Sequence, residues 1–104
     1  MRGDIYKLKA PRNAVGHEQQ GNRYAVVIQA DAYTHLSTWL VAPTTTGSFS
    51  SLIHPEIELD GKICRVMVEQ ATCVDPQRLG EFTGRLDHGE TQLVEQALRD
   101  VLDL

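Results

Sequence analysis

The sequence predicts a mostly-β fold: a small, curved antiparallel sheet or barrel with one helix packed on it. Three observations point there. Short apolar runs rich in β-branched residues recur over most of the chain. The dipeptide Asp60-Gly61, favoured in tight hairpin turns, separates two of them. After Asp87 the apolar spacing changes to the period of an amphipathic helix. Strands followed by a terminal helix bury their apolar sides against one another in two layers.

Residues 3–8 alternate and run towards Pro11, a first strand. Residues 10–22 are polar, with Gly16 and Gly21, and read as a long loop. Residues 24–29 are a nearly continuous apolar run, hence a buried central strand. Residues 30–35 connect it, with room for one helical turn, to a third strand over 37–46. That strand holds Trp39, and Pro43 marks a bend or a sheet edge in it. Residues 47–51 are a loop of small side chains. Residues 56–59 and 64–68 form the two arms of the hairpin. Residues 75–80 make a single helical turn stopped by Gly80, and 81–85 are a last short strand. Asp87 caps the terminal helix, and Glu90 three residues later completes a capping box. Leu93, Val94, Ala97, Leu98, Val101 and Leu102 then share one face. With no repeat, linker or low-complexity stretch, residues 1–104 read as one domain.

No apolar run approaches the roughly 20 residues that span a membrane, and the N-terminus lacks the apolar stretch of a secretory signal. Cys64 and Cys73 lie in apolar strand-like segments, so both read as reduced, buried cysteines of a cytoplasmic protein. The formal charge of −4 argues against a nucleic-acid partner until its distribution is followed. Asp87, Glu90, Glu95, Asp100 and Asp103 against Arg99 give the last segment all of it. The first 23 residues carry Arg2, Lys7, Lys9, Arg12 and Arg23 against Asp4 and Glu18, a net of +3. A local basic surface is therefore compatible with an acidic whole.

Two segments carry chemistry. One is Gly16-His17-Glu18-Gln19-Gln20-Gly21-Asn22-Arg23, followed by the buried strand. The other is Val41-Ala42-Pro43-Thr44-Thr45-Thr46. With the opening Arg2-Gly3-Asp4-Ile5-Tyr6 they resemble the MazF/PemK (Kid) toxin family, whose pattern is a G-[HS]-E-Q-x-G-x-R loop, a strand and a P-x-T-[TS] strand end. The resemblance continues through Val66-Met67-Val68-Glu69-Gln70, Val74-Asp75-Pro76-Gln77-Arg78-Leu79 and Gly84-Arg85-Leu86, in order and over essentially the whole chain.

The resemblance implies a homodimer of SH3-like barrel subunits that cleaves single-stranded RNA without a metal or other cofactor. The RNA's own 2′-hydroxyl attacks, leaving a 2′,3′-cyclic phosphate and a 5′-hydroxyl. It also implies a MazE-like antitoxin whose acidic, disordered C-terminal segment occupies the RNA groove. Matched residue by residue, Arg23 and Thr45 are the catalytic pair, with His17 and Glu18 in the adjoining loop. Glu69 matches a carboxylate that the Kid branch uses as base. Gln19, Gln20, Asn22, Thr44, Thr46, Arg65 and Gln70 are the RNA-binding candidates.

The residue types suit such a reaction. It needs proton removal, protonation of a leaving oxygen and stabilisation of extra negative charge on phosphorus. The guanidinium of Arg23 is always charged and matches phosphate oxygens; the hydroxyl of Thr45 can donate to one. His17 titrates near neutrality, and Glu18 or Glu69 can act as base if burial raises its pKa. The four histidines are too widely spaced for a recognisable zinc motif. Taken singly, Arg23 reads as a surface ion-pair residue, Thr45 as an ordinary strand residue, and Tyr6 and Trp39 as core or interface. Glu69 in an apolar strand calls for an exposed face or a partner, for which Arg65 is available four residues earlier.

Three departures from the family pattern stand out. Tyr24 replaces the usual proline after the arginine. Met67 stands where the Kid branch has a second catalytic arginine, a place Arg65 can take. Thr72 replaces a basic residue. They bear on the cleavage sequence more than on the reaction. Two alternatives share the fold: a CcdB-like toxin that binds DNA gyrase and cuts nothing, and an inactive relative that keeps only antitoxin binding.

Overall fold

The computed structural model describes residues 1–9, 23–47 and 51–104. The long polar loop expected over 10–22, and residues 48–50 of the small-residue loop, lie outside them.

The described elements are β1 (Asp4–Leu8), β2 (Tyr24–Val27), β3 (Trp39–Thr45), β4 (Glu56–Leu59), β5 (Lys62–Val66), β6 (Thr72–Val74), β7 (Leu79–Arg85) and α1 (His88–Leu102). Short 3-10 turns occur at Asp31–Tyr33, Val68–Gln70 and Pro76–Arg78. The strands make an antiparallel sheet in the order β4-β5-β3-β2-β1-β7, with β6 attached to β3. It curls strongly into a half-barrel, as the sequence predicts.

β2 sits in the middle and is buried on both faces. Val26 and Ile28 enter the main core with Ile5, Val66 and the helix residues Val94 and Ala97. Ala25 and Val27 enter a second cluster with Val41, Val74 and Leu79. A strand covered on both sides reads as a continuous apolar run rather than an alternation. Each fully buried valine or isoleucine contributes about 1.5–3 kcal/mol. Tyr6 and Trp39 border the second cluster, their ring centroids 6.4 Å apart, and Phe82 meets Tyr6 edge-on at 5.6 Å. Beyond β2, the Gln29 side chain donates to the Tyr33 carbonyl (2.6 Å) and accepts from the Leu40 N–H (2.9 Å), closing the connection to β3.

β3 changes neighbour half-way along. Trp39, Leu40 and Val41 pair with β6, whereas Thr44 and Thr45 pair with Val66 and Arg65 of β5. Pro43 lies between the two stretches, buried and facing Ala25 of β2. It marks this exchange of partners, not a sheet edge; a residue without an N–H fits where one neighbouring ladder ends and the next begins. Its carbonyl accepts from the Met67 N–H at 2.9 Å.

At the hairpin, Asp60 (φ 52°) and Gly61 (φ 76°) both take positive φ, as a type I′ turn requires. Ile57 and Leu59 are buried while Glu56 and Glu58 are exposed, the alternation of a one-sided strand. The second arm begins at Lys62, two residues earlier than expected, and stops at Val66. Glu69 and Gln70 therefore belong to a 3-10 turn, not to a strand.

Gly80 does not stop a helical turn. The turn at Pro76–Arg78 is capped by Asp75, which accepts from the Gln77 N–H (2.9 Å), and β7 starts directly at Leu79. A Cβ on Gly80 would come within 3.2 Å of the Lys7 carbonyl oxygen, so the glycine permits β1 and β7 to approach.

The capping box on α1 is present: Asp87 accepts from the Glu90 N–H (2.7 Å), and Glu90 accepts in return from the Asp87 N–H (3.0 Å). The helix buries less than its pattern promises. Val94 and Ala97 are fully buried, but Leu93 is 55% and Leu102 60% exposed. These two flank the apolar stripe on opposite sides, and the core takes in only Val94 and Ala97, with Leu98 packed against it. Cys64 is buried as expected; Cys73 is exposed, because among the described residues β6 pairs with β3 alone. Among the described residues no helix is long and apolar enough to cross a membrane.

Candidate active site

Ala25 faces Pro43 across β2 and β3. Continuing that antiparallel register two residues further sets Arg23 across from Thr45. On its other side Thr45 faces Arg65, which faces Glu56. Directly opposed residues of an antiparallel sheet share a face, so Arg23, Thr45, Arg65 and Glu56 form a row across four strands. Arg65 is held in place, donating to Glu56 Oε1 (2.9 Å) and to the His54 carbonyl (3.2 Å). Thr45 Oγ1 accepts from the Gly47 N–H (3.2 Å), which leaves the hydroxyl proton free to donate.

A cleft of about 600 Å³ opens at this end of the sheet. Arg23 and Tyr24 line it from the start of β2, and Thr44, Thr45 and Thr46 from the end of β3. Lys7 joins from β1, and Leu59, Asp60, Lys62 and Cys64 from the hairpin. Three cations against one carboxylate make the cleft basic in a chain whose formal charge is −4. Lys7 also reaches Glu81 at 3.7 Å. Burial pushes the Cys64 thiol up, a hydrogen bond with Thr44 opposes this, and the Glu90 charge adds to it. The thiol is therefore a poor nucleophile in this setting.

The structure brings Arg23, Thr44, Thr45 and Thr46 together, with Arg65 next in the row. It does not bring Glu69 or Gln70 to the cleft lining. The carboxylate of Glu69 is bonded to His54, Nε2 to Oε2 at 2.6 Å. The partner expected for it, Arg65, is engaged by Glu56 instead, because the hairpin register sets those two directly opposite. His17, Glu18, Gln19, Gln20 and Asn22 lie outside the described residues. Lys7, Tyr24, Leu59 and Lys62 are the additions to the cleft that sequence reasoning missed. Asp60-Gly61 places Lys62 beside Leu59, but nothing local places β5 beside the end of β3. Among the described residues no three His, Cys, Asp or Glu side chains converge as a metal-ligand group.

The family of PemK-like, MazF-like toxins of type II toxin-antitoxin systems matches residues 1–102. A Mycobacterium tuberculosis relative bearing the toxin name Rv3098A is 32% identical over 105 aligned residues, covering 100% of this chain and 98% of its own. The chain belongs to the MazF/PemK toxin family. Solved structures agree on the MazF/PemK fold. A mycobacterial endoribonuclease in complex with its cognate antitoxin superposes with a TM-score of 0.78 at 17% identity, covering 100% of this chain and 95% of that one. The MazE-MazF complex of Deinococcus radiodurans gives 0.74 at 23% identity, with 98% and 94% covered. The matched region takes in both the Arg23 loop end and the Pro43–Thr46 strand end that carry the MazF/PemK pattern.

Proposed function

We propose that this chain is a toxin endoribonuclease that cuts single-stranded RNA at a short sequence by attack of the RNA's own 2′-hydroxyl. The observation that carries the reading is the placement of Arg23 across from Thr45 at a cation-lined cleft, in a chain of the MazF/PemK family. Arg23 sets a fixed positive charge against the phosphate as it gains negative charge, and Thr45 donates a hydrogen bond to one of its oxygens. His17 and Glu18, from the loop that runs into Arg23, move the protons: one removes the 2′-hydroxyl proton, the other protonates the departing 5′-oxygen. Glu69, held by His54 outside the cleft lining, has in this reading a positioning role for the turn it sits in. Arg65, Thr44 and Thr46 contact flanking phosphates or bases, together with Gln19, Gln20 and Asn22; Gln70, on the same turn as Glu69, meets RNA further out.

The same reading makes the active unit a cytoplasmic homodimer that pools two basic clefts, and gives it a MazE-like antitoxin whose acidic segment competes with RNA. The mycobacterial endoribonuclease with its antitoxin and the Deinococcus MazE-MazF pair support this assignment.

The experiment is incubation of the pure protein with mixed-sequence RNA in EDTA, followed by analysis of the product ends. Cyclic phosphate and 5′-hydroxyl ends are expected. A strict Mg²⁺ requirement or 5′-phosphate ends would overturn the mechanism. Gyrase inhibition without RNA cleavage would replace it with the CcdB-like alternative.

A further inference from the structure

The basic cleft has a second part that the Arg23–Thr45 pair does not use. On the face of the sheet that bears the main core, Tyr24 packs half-buried against the core edge. Leu59 and Cys64 lie on the same lining, buried. The cleft therefore has an aromatic and aliphatic floor. Lys62, first residue of β5 and exposed, stands at its hairpin side with no ion-pair partner among the described residues. Lys7, which faces Tyr24 in the β1–β2 register, is on the same lining but shared with Glu81. The type I′ turn at Asp60-Gly61 holds Lys62 directly opposite Leu59, so cation and apolar floor are adjacent by construction. A volume of about 600 Å³ is in the range of small-molecule sites.

A flat ring, an aliphatic neighbour and an unshared ammonium group match a nucleotide, with its base on the ring and its phosphate on the cation. We infer that Tyr24, Leu59 and Lys62 form a nucleotide subsite that seats one base next to the cleaved bond and grips a neighbouring phosphate. Tyr24 stacks on the base, Leu59 closes the apolar side, and Lys62 binds the phosphate. The tyrosine is thereby a specificity-determining residue. The inference rests on the RNA-cleavage reading, and the test separates the two because it measures binding without cleavage.

The probe is a short random-sequence 2′-O-methyl RNA, which has no hydroxyl nucleophile, with affinity measured by fluorescence anisotropy over a salt series. Lys62→Ala should lower the slope of log affinity against log salt by about 0.7, the loss of one phosphate contact on a single strand. Tyr24→Leu, which keeps apolar bulk against the core, should weaken binding about tenfold with the slope unchanged; Tyr24→Phe should bind like the parent. Parental affinity in Tyr24→Leu, or a parental slope in Lys62→Ala, overturns the subsite, and so does failure of the parent to bind the probe. If Tyr24→Leu loses its fold, the Lys62→Ala slope decides alone. A parent that cleaves RNA while both variants bind normally leaves the enzyme reading standing and removes only the subsite. A parent that binds with the expected variant pattern yet never cleaves does the reverse.

Discussion

His54 and Glu69 are joined by a hydrogen bond of 2.6 Å, which fastens the chain just before β4 to the turn just after β5. The other ring nitrogen of His54, Nδ1, is buried with no hydrogen-bond partner among the described residues. Neither His54 nor Glu69 is among the residues lining the cleft. Glu69→Gln should therefore lower RNA cleavage by less than the roughly 10²-fold that loss of a general base brings. A larger loss in a variant with parental melting behaviour would return the base role to Glu69.

The same pair should be visible in stability. Glu69→Ala and His54→Ala should each destabilise, and the double variant should lose about 1 kcal/mol less than the sum of the two. Additive losses in urea unfolding would show that the pair contributes nothing.

Arg23→Ala and Thr45→Val should each reduce cleavage about 10²–10³-fold while unfolding midpoints stay close to the parent. Neither side chain is part of the buried core. A variant that folds and cuts normally removes that residue from the mechanism.

Glu90 bonds two backbone amides in different elements, Asp87 N–H at the helix start and Glu58 N–H in β4 (2.8 Å). Asp87→Ala should cost about 0.5–2 kcal/mol, the usual worth of an N-cap. Glu90→Ala should cost more, because it also releases a strand amide. Equal losses would mean that the bond to β4 adds nothing.

The two cysteines should be told apart by a thiol reagent. Cys73 should react at once and Cys64 only as the protein unfolds. Since burial raises the folded-state pKa of Cys64, its contribution to stability is complete below the ordinary thiol pKa and is lost as pH rises through the folded value. Cys64→Ala should flatten that part of the alkaline stability curve. An unchanged slope would mean the thiol titrates alike in both states.

What was legible in the sequence follows from the range of the interactions. Asp60-Gly61 announced its hairpin because turn chemistry is local, and Asp87 with Glu90 announced the cap for the same reason. The continuous run over β2 signalled burial on both faces. The matched motif series put Arg23 and Thr45 together although 21 residues separate them. Arg65 opposite Glu56 follows from the two-residue hairpin turn and was within reach of the sequence, whereas Glu69 with His54 was not, since it depends on the turn the chain takes after β5. Cys73 looked buried because its segment is apolar, yet among the described residues β6 pairs with β3 alone. Gly80 was misread as a stop signal; its reason is the Lys7 backbone, far away in sequence.

The ladder between β1 and β7 carries a kinetic consequence. It joins residues near the N-terminus to residues as far along as Arg85, which also donates to Asp4 Oδ1 at 2.7 Å. Contacts of such long sequence separation are closed late and at high entropic cost. On a translating ribosome β1 has to wait for β7 to be made and released before it gains that neighbour. The half-barrel therefore completes only after β7 has emerged, and a chain terminated before β7 leaves that side of β1 unpaired. For a protein proposed to destroy messages, assembly is thus tied to the translation of its own message as far as β7.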